Sequence, residues 1–247
     1  MEFQEAKKIA CEIMSCFTAY DLRELSEFRH YADDDMIDEI WYSDAFDKIN
    51  DMGIEYSYGC SKLVLFPPDI PDWCIKIPFI SEREVYFNED DETDELDDEA
   101  TSFSNGFLNY QNKKYGNGFD YCLLEAFVYN ISCSYGVSDL LCGTFELGEF
   151  HGYAAYLSEK ADKTEFLTSL EEISADSRKI ANIISSDYKT YELSKEMTSK
   201  IVEDFGAKKL EQFLKLVLDL DLTDFHSHNV GFRNNKISFF DYSGYFE

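Results

Sequence analysis

The chain has 247 residues, of which 45% are apolar, with 21 Phe and 17 Tyr, and its formal net charge is −28. This length and aromatic content predict a globular protein with a substantial core and argue against a disordered chain. The charge argues against direct binding of nucleic acid, because phosphates are neutralised by Lys and Arg. No apolar run reaches about 18 residues, so we expect no membrane span.

The termini and cysteines indicate the compartment. The charged, amphipathic start MEFQEAKKIACEIM lacks the features of a secretory signal. Seven scattered cysteines form no C-x-x-C pair. This pattern predicts reduced core residues rather than a disulfide framework or a zinc site. We therefore expect a cytoplasmic protein.

Helices are predicted first in the chain. Apolar residues recur at helical spacing over residues 2–20, and shorter helical patterns follow over 21–30 and 35–50. Met52-Gly53 ends this segment. Residues 1–53 are thus predicted to form an N-terminal helical extension.

Strand-like sequence follows the extension. IEYSYGCSKLVLF (54–66) and WCIKIPF (73–79) are separated by the turn PPDIPD, which together predict a β-hairpin of two strands. Residues 88–99, NEDDETDELDDE, contain nine acids and no base. Such a block of like charge predicts a solvated loop inserted into this part of the fold.

The rest of the chain alternates helix and strand patterns. A helix is predicted over 119–135, strands around 140–147 and 151–157, and a helical region over roughly 162–220. A short hairpin with an Asn-Asn turn closes the chain. The order predicts an α+β fold in two lobes: the strand-rich lobe spans 54–161 and the mainly helical lobe spans 162–247.

Three polar residues near the end of the chain have the spacing of a phosphoryl-transfer site. In DLTDFHSHNVGFRNNKISFFDYSGYFE, Asp224 and Asn229 are five residues apart, and Asp241 lies twelve beyond Asn229. An acceptor hydroxyl needs a carboxylate that orients or deprotonates it, and Mg²⁺ needs oxygen ligands. This D-x-x-x-x-N…D arrangement predicts Asp224 as the base and Asn229 and Asp241 as the magnesium ligands.

Together with three other features, this stretch resembles the protein-kinase-like superfamily. DFHSHN (224–229) is closer to the D-x-H-x-x-N of aminoglycoside and choline kinase-like phosphotransferases than to the H-R-D-x-K of protein kinases. The other features follow in the expected order: Lys76 in WCIKIP, Glu125 in YCLLEAF and a hinge in YAAYLSEKA (153–161). The resemblance covers about residues 54–244.

The resemblance implies a compact two-lobed kinase-like fold that binds ATP and Mg²⁺ and transfers a phosphoryl group to a hydroxyl acceptor. Lys76, held by Glu125, is then the residue that contacts the α and β phosphates, and Asp224 is the base. The remaining implied contacts are the phosphate-binding loop SYGCSK with Gly59 and Ser61, the hinge with Glu159 and Ala161, and the metal ligands Asn229 and Asp241.

The sequence departs from the family pattern at three places. SYGCSK has one glycine where protein kinases have three, and DYSG replaces D-F-G. Only six residues follow Asp241, so we expect no activation segment and no peptide-binding platform. The alternatives are a small acceptor, one docked by the N-terminal helices, or no acceptor in a pseudokinase.

The individual residues also have structural explanations. Lys76 could lie on an edge strand with its ammonium group in water, and Glu125 could lie on the polar face of its helix. Asp224 and Asn229 could cap a turn, a common use of both residue types. His226 and His228 could join Asp224 in a zinc or iron site, although no third strong ligand has the required spacing.

A competing function follows from the acidity. A catalytically inactive kinase-like protein or DNA mimic could bind a basic, possibly DNA-binding, host partner through its acidic surface. Small size and a charge of −28 would suit a phage-encoded protein of this kind. Salt dependence separates the two functions, because a charge-driven complex weakens with salt whereas nucleotide binding depends on magnesium.

Overall fold

A computed structural model describes residues 1–32, 44–59, 61–79, 121–162, 173–186, 188, 193–220, 222, 225 and 227–242. The fold is mixed α+β, as the sequence predicts. The chain divides into two compact units. Unit 1 comprises Met1–Leu124 and Thr144–Ser158, and unit 2 comprises Glu125–Gly143 and Glu159–Glu247.

The described residues at the start of unit 1 include three helices, which confirms helical structure in the predicted N-terminal extension. They are α1 (Phe3–Met14), α2 (Ala19–Ala32) and α3 (Asp44–Asp51). In α1 the buried residues are Ala6, Ala10 and Met14, whose four-residue spacing places them along one stripe of the helix.

The start of α2 is fixed by a reciprocal pair of hydrogen bonds. The backbone N–H of Thr18 donates to Asp21 Oδ2 at 2.7 Å, and the N–H of Asp21 donates to Thr18 Oγ1 at 3.2 Å. This capping satisfies N–H groups that the helix itself leaves unpaired. Lys48 of α3 also binds the Asp21 carboxylate, which connects the two helices.

The described part of unit 1 also contains a five-stranded sheet. Its strands, in the spatial order β1-β2-β3-β5-β4, are β1 (Glu55–Tyr58), β2 (Lys62–Phe66), β3 (Trp73–Pro78), β4 (Thr144–Phe150) and β5 (Tyr153–Glu159). Antiparallel pairing of β2 with β3 confirms the predicted hairpin. The prediction of one strand over 54–66 is wrong, because a turn in which Gly59 N donates to Lys62 O at 3.1 Å separates β1 from β2.

The two faces of this sheet differ in polarity. Leu63 pairs with Ile77 and Leu65 with Ile75, and these four residues share an apolar core with α1, α2 and α3. Directly paired residues point to the same face, and successive residues alternate between faces. The opposite face therefore carries Lys62, Lys76, Thr144, Ser158 and Tyr156, all of which are buried.

The described part of unit 2 is mainly helical. Its helices are α4 (Tyr121–Tyr135, beginning in unit 1), α5 (Ala175–Ser185), α6 (Lys195–Phe205) and α7 (Ala207–Asp219). Two serines cap their helices: Ser174 Oγ accepts from Ser177 N at 3.1 Å, and Ser194 Oγ accepts from Met197 N at 3.2 Å. The predicted helical start at residue 162 is wrong, because Asp162 forms an antiparallel bridge with Phe232.

The predicted closing hairpin is confirmed as β6 (Val230–Arg233) and β7 (Lys236–Phe239). Its turn residues Asn234 and Asn235 have φ of 53° and 62°. Asn tolerates this left-handed conformation, which a tight two-residue hairpin requires.

Two predictions from composition concern the described residues as a whole. None of the described helices is long and apolar enough to span a membrane. The six described cysteines are free thiols, but only three of them are buried. The prediction that the cysteines are core residues is therefore half right within this part of the chain.

Candidate functional site

The open end of the β6–β7 hairpin brings the two predicted magnesium ligands together. Asn229 ends a short 3-10 turn immediately before β6, and Asp241 lies two residues after β7. Asn229 Nδ2 donates to the backbone O of Asp241 at 3.0 Å, and Phe240 N donates to Asn229 O at 3.0 Å. The pairing of the two strands thus makes neighbours of residues that are twelve apart in sequence.

Asp241 has an unusual backbone conformation. Four described residues other than glycine have positive φ, and three of them, His151, Asn234 and Asn235, lie in two-residue hairpin turns. Asp241, with φ of 54°, is the fourth and lies outside any hairpin turn. Asp tolerates this conformation better than most residues do, but outside a turn it still carries some strain, and such strain is concentrated at functional sites.

The backbone on either side of Asp241 is held by the segment before β4. Cys142 N donates to Phe239 O at 2.7 Å, and the buried Tyr242 donates its hydroxyl hydrogen to Cys142 O at 2.9 Å. Leu141 also forms a parallel bridge with Phe239. Asp241 is therefore fixed at a defined position between two anchored residues.

The loop before Asn229 is anchored by apolar side chains. Leu222 and Phe225 are buried, and the ring of Phe225 lies 5.2 Å from the rings of both Phe213 and Phe239. Asp224, the predicted base, lies outside the described residues, so its role stays a prediction.

The hinge predicted around Glu159 and Ala161 packs against β6. The Glu159 carboxylate accepts a hydrogen bond from Gly143 N at 2.7 Å and forms an ion pair with Arg233. These contacts give the side chain of Glu159 a structural role. Its predicted contact with a nucleotide, like that of Ala161, stays a prediction.

Gly231 allows this close packing, although its sequence pattern alone did not mark it as a site residue. Asp162 N donates to Phe232 O at 2.8 Å, and Phe232 N donates to Asp162 O at 2.7 Å. A Cβ on Gly231 would lie 2.5 Å from the backbone O of Asp162 and 3.2 Å from the Cβ of Ala161. The available signal was a lone glycine within a strand pattern, which often marks a close backbone approach.

Lys76 lies in the middle of the unit 1 sheet. It is on β3, the central strand, pairs with Val64, and is 5% exposed. The alternative of an edge-strand lysine with its ammonium group in water is therefore wrong. A buried ammonium group requires compensating polar contacts, and Lys76 does interact with other groups of the protein.

Gly59 and Ser61 lie in the turn between β1 and β2. Ser61 O accepts a hydrogen bond from Phe79 N at 2.9 Å, which ties the turn to the end of β3. Gly59 is exposed, and a Cβ added there would meet no atom within 4 Å. The space around this glycine is open, as a loop that receives a ligand requires, but the predicted phosphate contact itself stays a prediction.

Glu125 is fully buried on α4 at 0% exposure, so the alternative of a polar-face residue is wrong. It makes interactions within the protein. Glu125 belongs to unit 2 and Lys76 to unit 1, so the Lys76–Glu125 ion pair stays a prediction.

The donor atoms at the hairpin end fit magnesium. The Asn229 nitrogen is used by the backbone of Asp241, so the amide oxygen and the Asp241 carboxylate are the atoms suited to a cation. Mg²⁺ prefers hard oxygen ligands and usually takes only one or two protein side chains. Among the described residues, no group of three or more His, Cys, Asp or Glu is placed to hold a metal. Two members of the alternative zinc or iron site, Asp224 and His226, lie outside those residues.

No protein-family model, no curated protein and no solved structure matches the chain.

Proposed function

We propose that this protein is a kinase-like phosphotransferase that binds ATP with Mg²⁺ and transfers a phosphoryl group to a hydroxyl acceptor. One observation carries the proposal. Asn229 and Asp241, chosen from sequence spacing as magnesium ligands, meet at the end of one hairpin, and Asp241 holds a left-handed backbone outside any turn that would require it. Such strain is expected where position matters more than stability.

Each predicted residue has a distinct role in this proposal. Asn229 and Asp241 hold the cation through oxygen atoms, and Lys76 neutralises phosphate charge with its ammonium group. Asp224 orients the acceptor hydroxyl and takes its proton. When bound, Mg²⁺ supplies charge stabilisation to the phosphates. The order of the elements along the chain supports this assignment: a hairpin turn with Gly59, a strand with Lys76, a helix with Glu125, two strands, and then the Asn229–Asp241 hairpin.

Thermal unfolding with ATP, in the presence and absence of Mg²⁺, tests the proposal. A ligand at a hundredfold excess over its Kd stabilises the native state by about 2.7 kcal/mol. We expect a magnesium-dependent rise in melting temperature for the wild type that is lost in Asp241→Asn. Asp176→Asn is the matched control, because Asp176 is an exposed carboxylate in the first turn of α5 and should leave the shift unchanged. A wild type without a shift at millimolar ATP refutes the proposal.

A double-mutant cycle tests whether Lys76 and Asp241 act on the same nucleotide. We expect the ATP affinities of Lys76→Met, Asp241→Asn and the double variant to be non-additive, because both residues interact with one chain of phosphates through a shared cation. Additive losses would mean that the two residues act independently, and would remove Lys76 from the proposed site.

Acidity favours a second candidate, an acidic binding protein for a basic cytoplasmic partner. The net charge is −28, and exposed carboxylates of unit 1 include Asp44, Asp47 and Glu55. A complex of this kind should weaken steeply between low and high salt. Capture of a basic protein at low salt, unaffected by Mg²⁺ and by Asp241→Asn, would favour this candidate over the phosphotransferase.

A further inference from the structure

A second lysine shares the sheet face of Lys76. In the β2–β3 pair, Lys62 is opposite Pro78 and Val64 is opposite Lys76. Lys62 and Lys76 are therefore diagonal neighbours on one face, a relation that places their Cα atoms about 7–8 Å apart. Both side chains can reach the same region in front of the sheet.

Both lysines are buried. Lys62 is 2% exposed and Lys76 is 5% exposed, whereas lysine is almost never fully buried without compensation. Two ammonium groups at this spacing repel each other, and burial strengthens the repulsion because the local dielectric is low. Each already takes part in interactions within the protein, so a bound anion would add to those contacts or exchange with them.

The surroundings of the two lysines suit an anion with several charged oxygens. Lys62 directly follows the turn that contains Gly59 and Ser61, where the space around Gly59 is open. A polyphosphate has the length and the charged oxygens to contact both ammonium groups at once, whereas a single carboxylate or monophosphate would contact one of them.

We propose that Lys62 is a second phosphate-binding residue, and that Lys62 and Lys76 together select a polyphosphate over a monophosphate. This proposal rests on the proposed function and deepens it, because it assigns the nucleotide's charged tail to one face of the unit 1 sheet. Lys62 then determines specificity for the length of the phosphate chain.

Calorimetric titration with Mg²⁺-ATP, AMP and inorganic tripolyphosphate tests the proposal on the full chain. Lys62→Met keeps the apolar length of the side chain and removes the charge. We expect it to weaken ATP and tripolyphosphate binding about tenfold to a hundredfold, the effect of losing one charge-assisted hydrogen bond. AMP binding should change less than about threefold, because a monophosphate needs only one of the two ammonium groups. Lys179→Met, at an exposed lysine of α5, is the matched control and should bind all three ligands as the wild type does.

The outcomes separate this inference from the proposed function. If Lys76→Met and Asp241→Asn lose ATP while Lys62→Met binds it normally, the phosphotransferase stands and the role of Lys62 is overturned. If Lys62→Met weakens tripolyphosphate while the wild type shows no magnesium-dependent ATP binding, the polyphosphate site stands and the phosphotransferase fails. If the wild type binds neither ligand, both are overturned.

A measurement on the wild-type protein covers the case in which Lys62→Met does not fold. The side-chain NMR signal of Lys62, assigned with Lys62→Arg, should shift on addition of tripolyphosphate, whereas the Lys179 signal should not. An unchanged Lys62 signal at saturating tripolyphosphate overturns the proposal.

Discussion

Gly231→Ala should strongly destabilise unit 2. A Cβ at position 231 would lie 2.5 Å from the backbone O of Asp162, whereas ordinary contacts begin at 3.4 Å. Because the obstacle is backbone, β6 or the 161–162 segment must move by about 0.9 Å. Such a shift stretches the reciprocal bonds of 2.7 and 2.8 Å between Asp162 and Phe232 to about 3.6 Å, beyond hydrogen-bond distance.

The cost of this change can be estimated from two contributions. Two lost backbone hydrogen bonds account for about 2 kcal/mol, and the remaining strain of overpacking for about 1–3 kcal/mol. We therefore expect urea denaturation to show a loss of about 3–5 kcal/mol in the free energy of unfolding. Hydrogen exchange followed by mass spectrometry should show faster exchange at the amides of Asp162 and Phe232.

Gly59→Ala provides the matched control for Gly231→Ala. A Cβ at position 59 would meet no atom within 4 Å, so its effect on the free energy of unfolding should stay within about 1 kcal/mol. If Gly231→Ala is as stable as Gly59→Ala and keeps the slow exchange of Phe232, the close approach of β6 to the 161–162 segment is refuted.

Three further substitutions test the contacts that hold the start of α2, the loop before Asn229 and the backbone at Asp241. Burial raises the pKa of Asp21, but hydrogen bonds from Lys48 and Thr18 outweigh it and hold that pKa below its ordinary 3.8. The ionised Asp21 carboxylate therefore stabilises the fold above about pH 4, and this stabilisation is lost as the pH falls through the lowered pKa. Asp21→Asn should be less stable than the wild type near neutral pH, and its melting temperature should fall less steeply as the pH is lowered. Equal slopes for the two proteins at acid pH would contradict this. Phe225→Ala should lose about 3–5 kcal/mol of stability in urea, and a loss below about 1 kcal/mol would show that the aromatic cluster is not packed as described. Asp241→Gly should raise the melting temperature of the ligand-free protein, because glycine adopts positive φ without penalty, and should abolish the Mg²⁺-ATP shift; lower stability with an intact shift would make Asp241 a structural residue.

Local patterns in the sequence were sufficient for most of the elements. The α1 helix follows from the spacing of Ala6, Ala10 and Met14, and the β6–β7 hairpin follows from its Asn-Asn turn. It was also predictable that Asn229 and Asp241 lie close together, because a tight hairpin brings together the residues that flank its two strands. These features depend on residues close in sequence, which pattern analysis can detect.

Features that depend on long-range packing were not predictable. The sequence pattern did not mark Lys62 as a site residue, yet Lys62 is 2% exposed and shares a sheet face with Lys76. The strand-like composition of 54–66 concealed the turn at Gly59, and the bridge from Asp162 to Phe232 joins residues 70 apart in sequence. The Asp162–Phe232 bridge depends on a distant part of the chain, about which a local pattern holds no information. The turn at Gly59 is local and was missed because the residues on both sides of it are typical of strands.

The core of unit 1 restricts where the acceptor of the proposed phosphotransferase could bind. The apolar residues of α1, α2 and α3 share one core with Leu63, Leu65, Ile75 and Ile77, so the N-terminal helices use their apolar faces to cover one side of the sheet. Those faces cannot also dock an acceptor without exposing that core to water, at about 25 cal/mol for each Å² of apolar surface. If the helices contact an acceptor at all, they must do so through their polar faces, which carry exposed acids such as Glu5 and Glu12. Those faces also carry Lys8, which forms an ion pair with Glu12 at 3.8 Å, so a polar acceptor of either charge would suit them better than an apolar one.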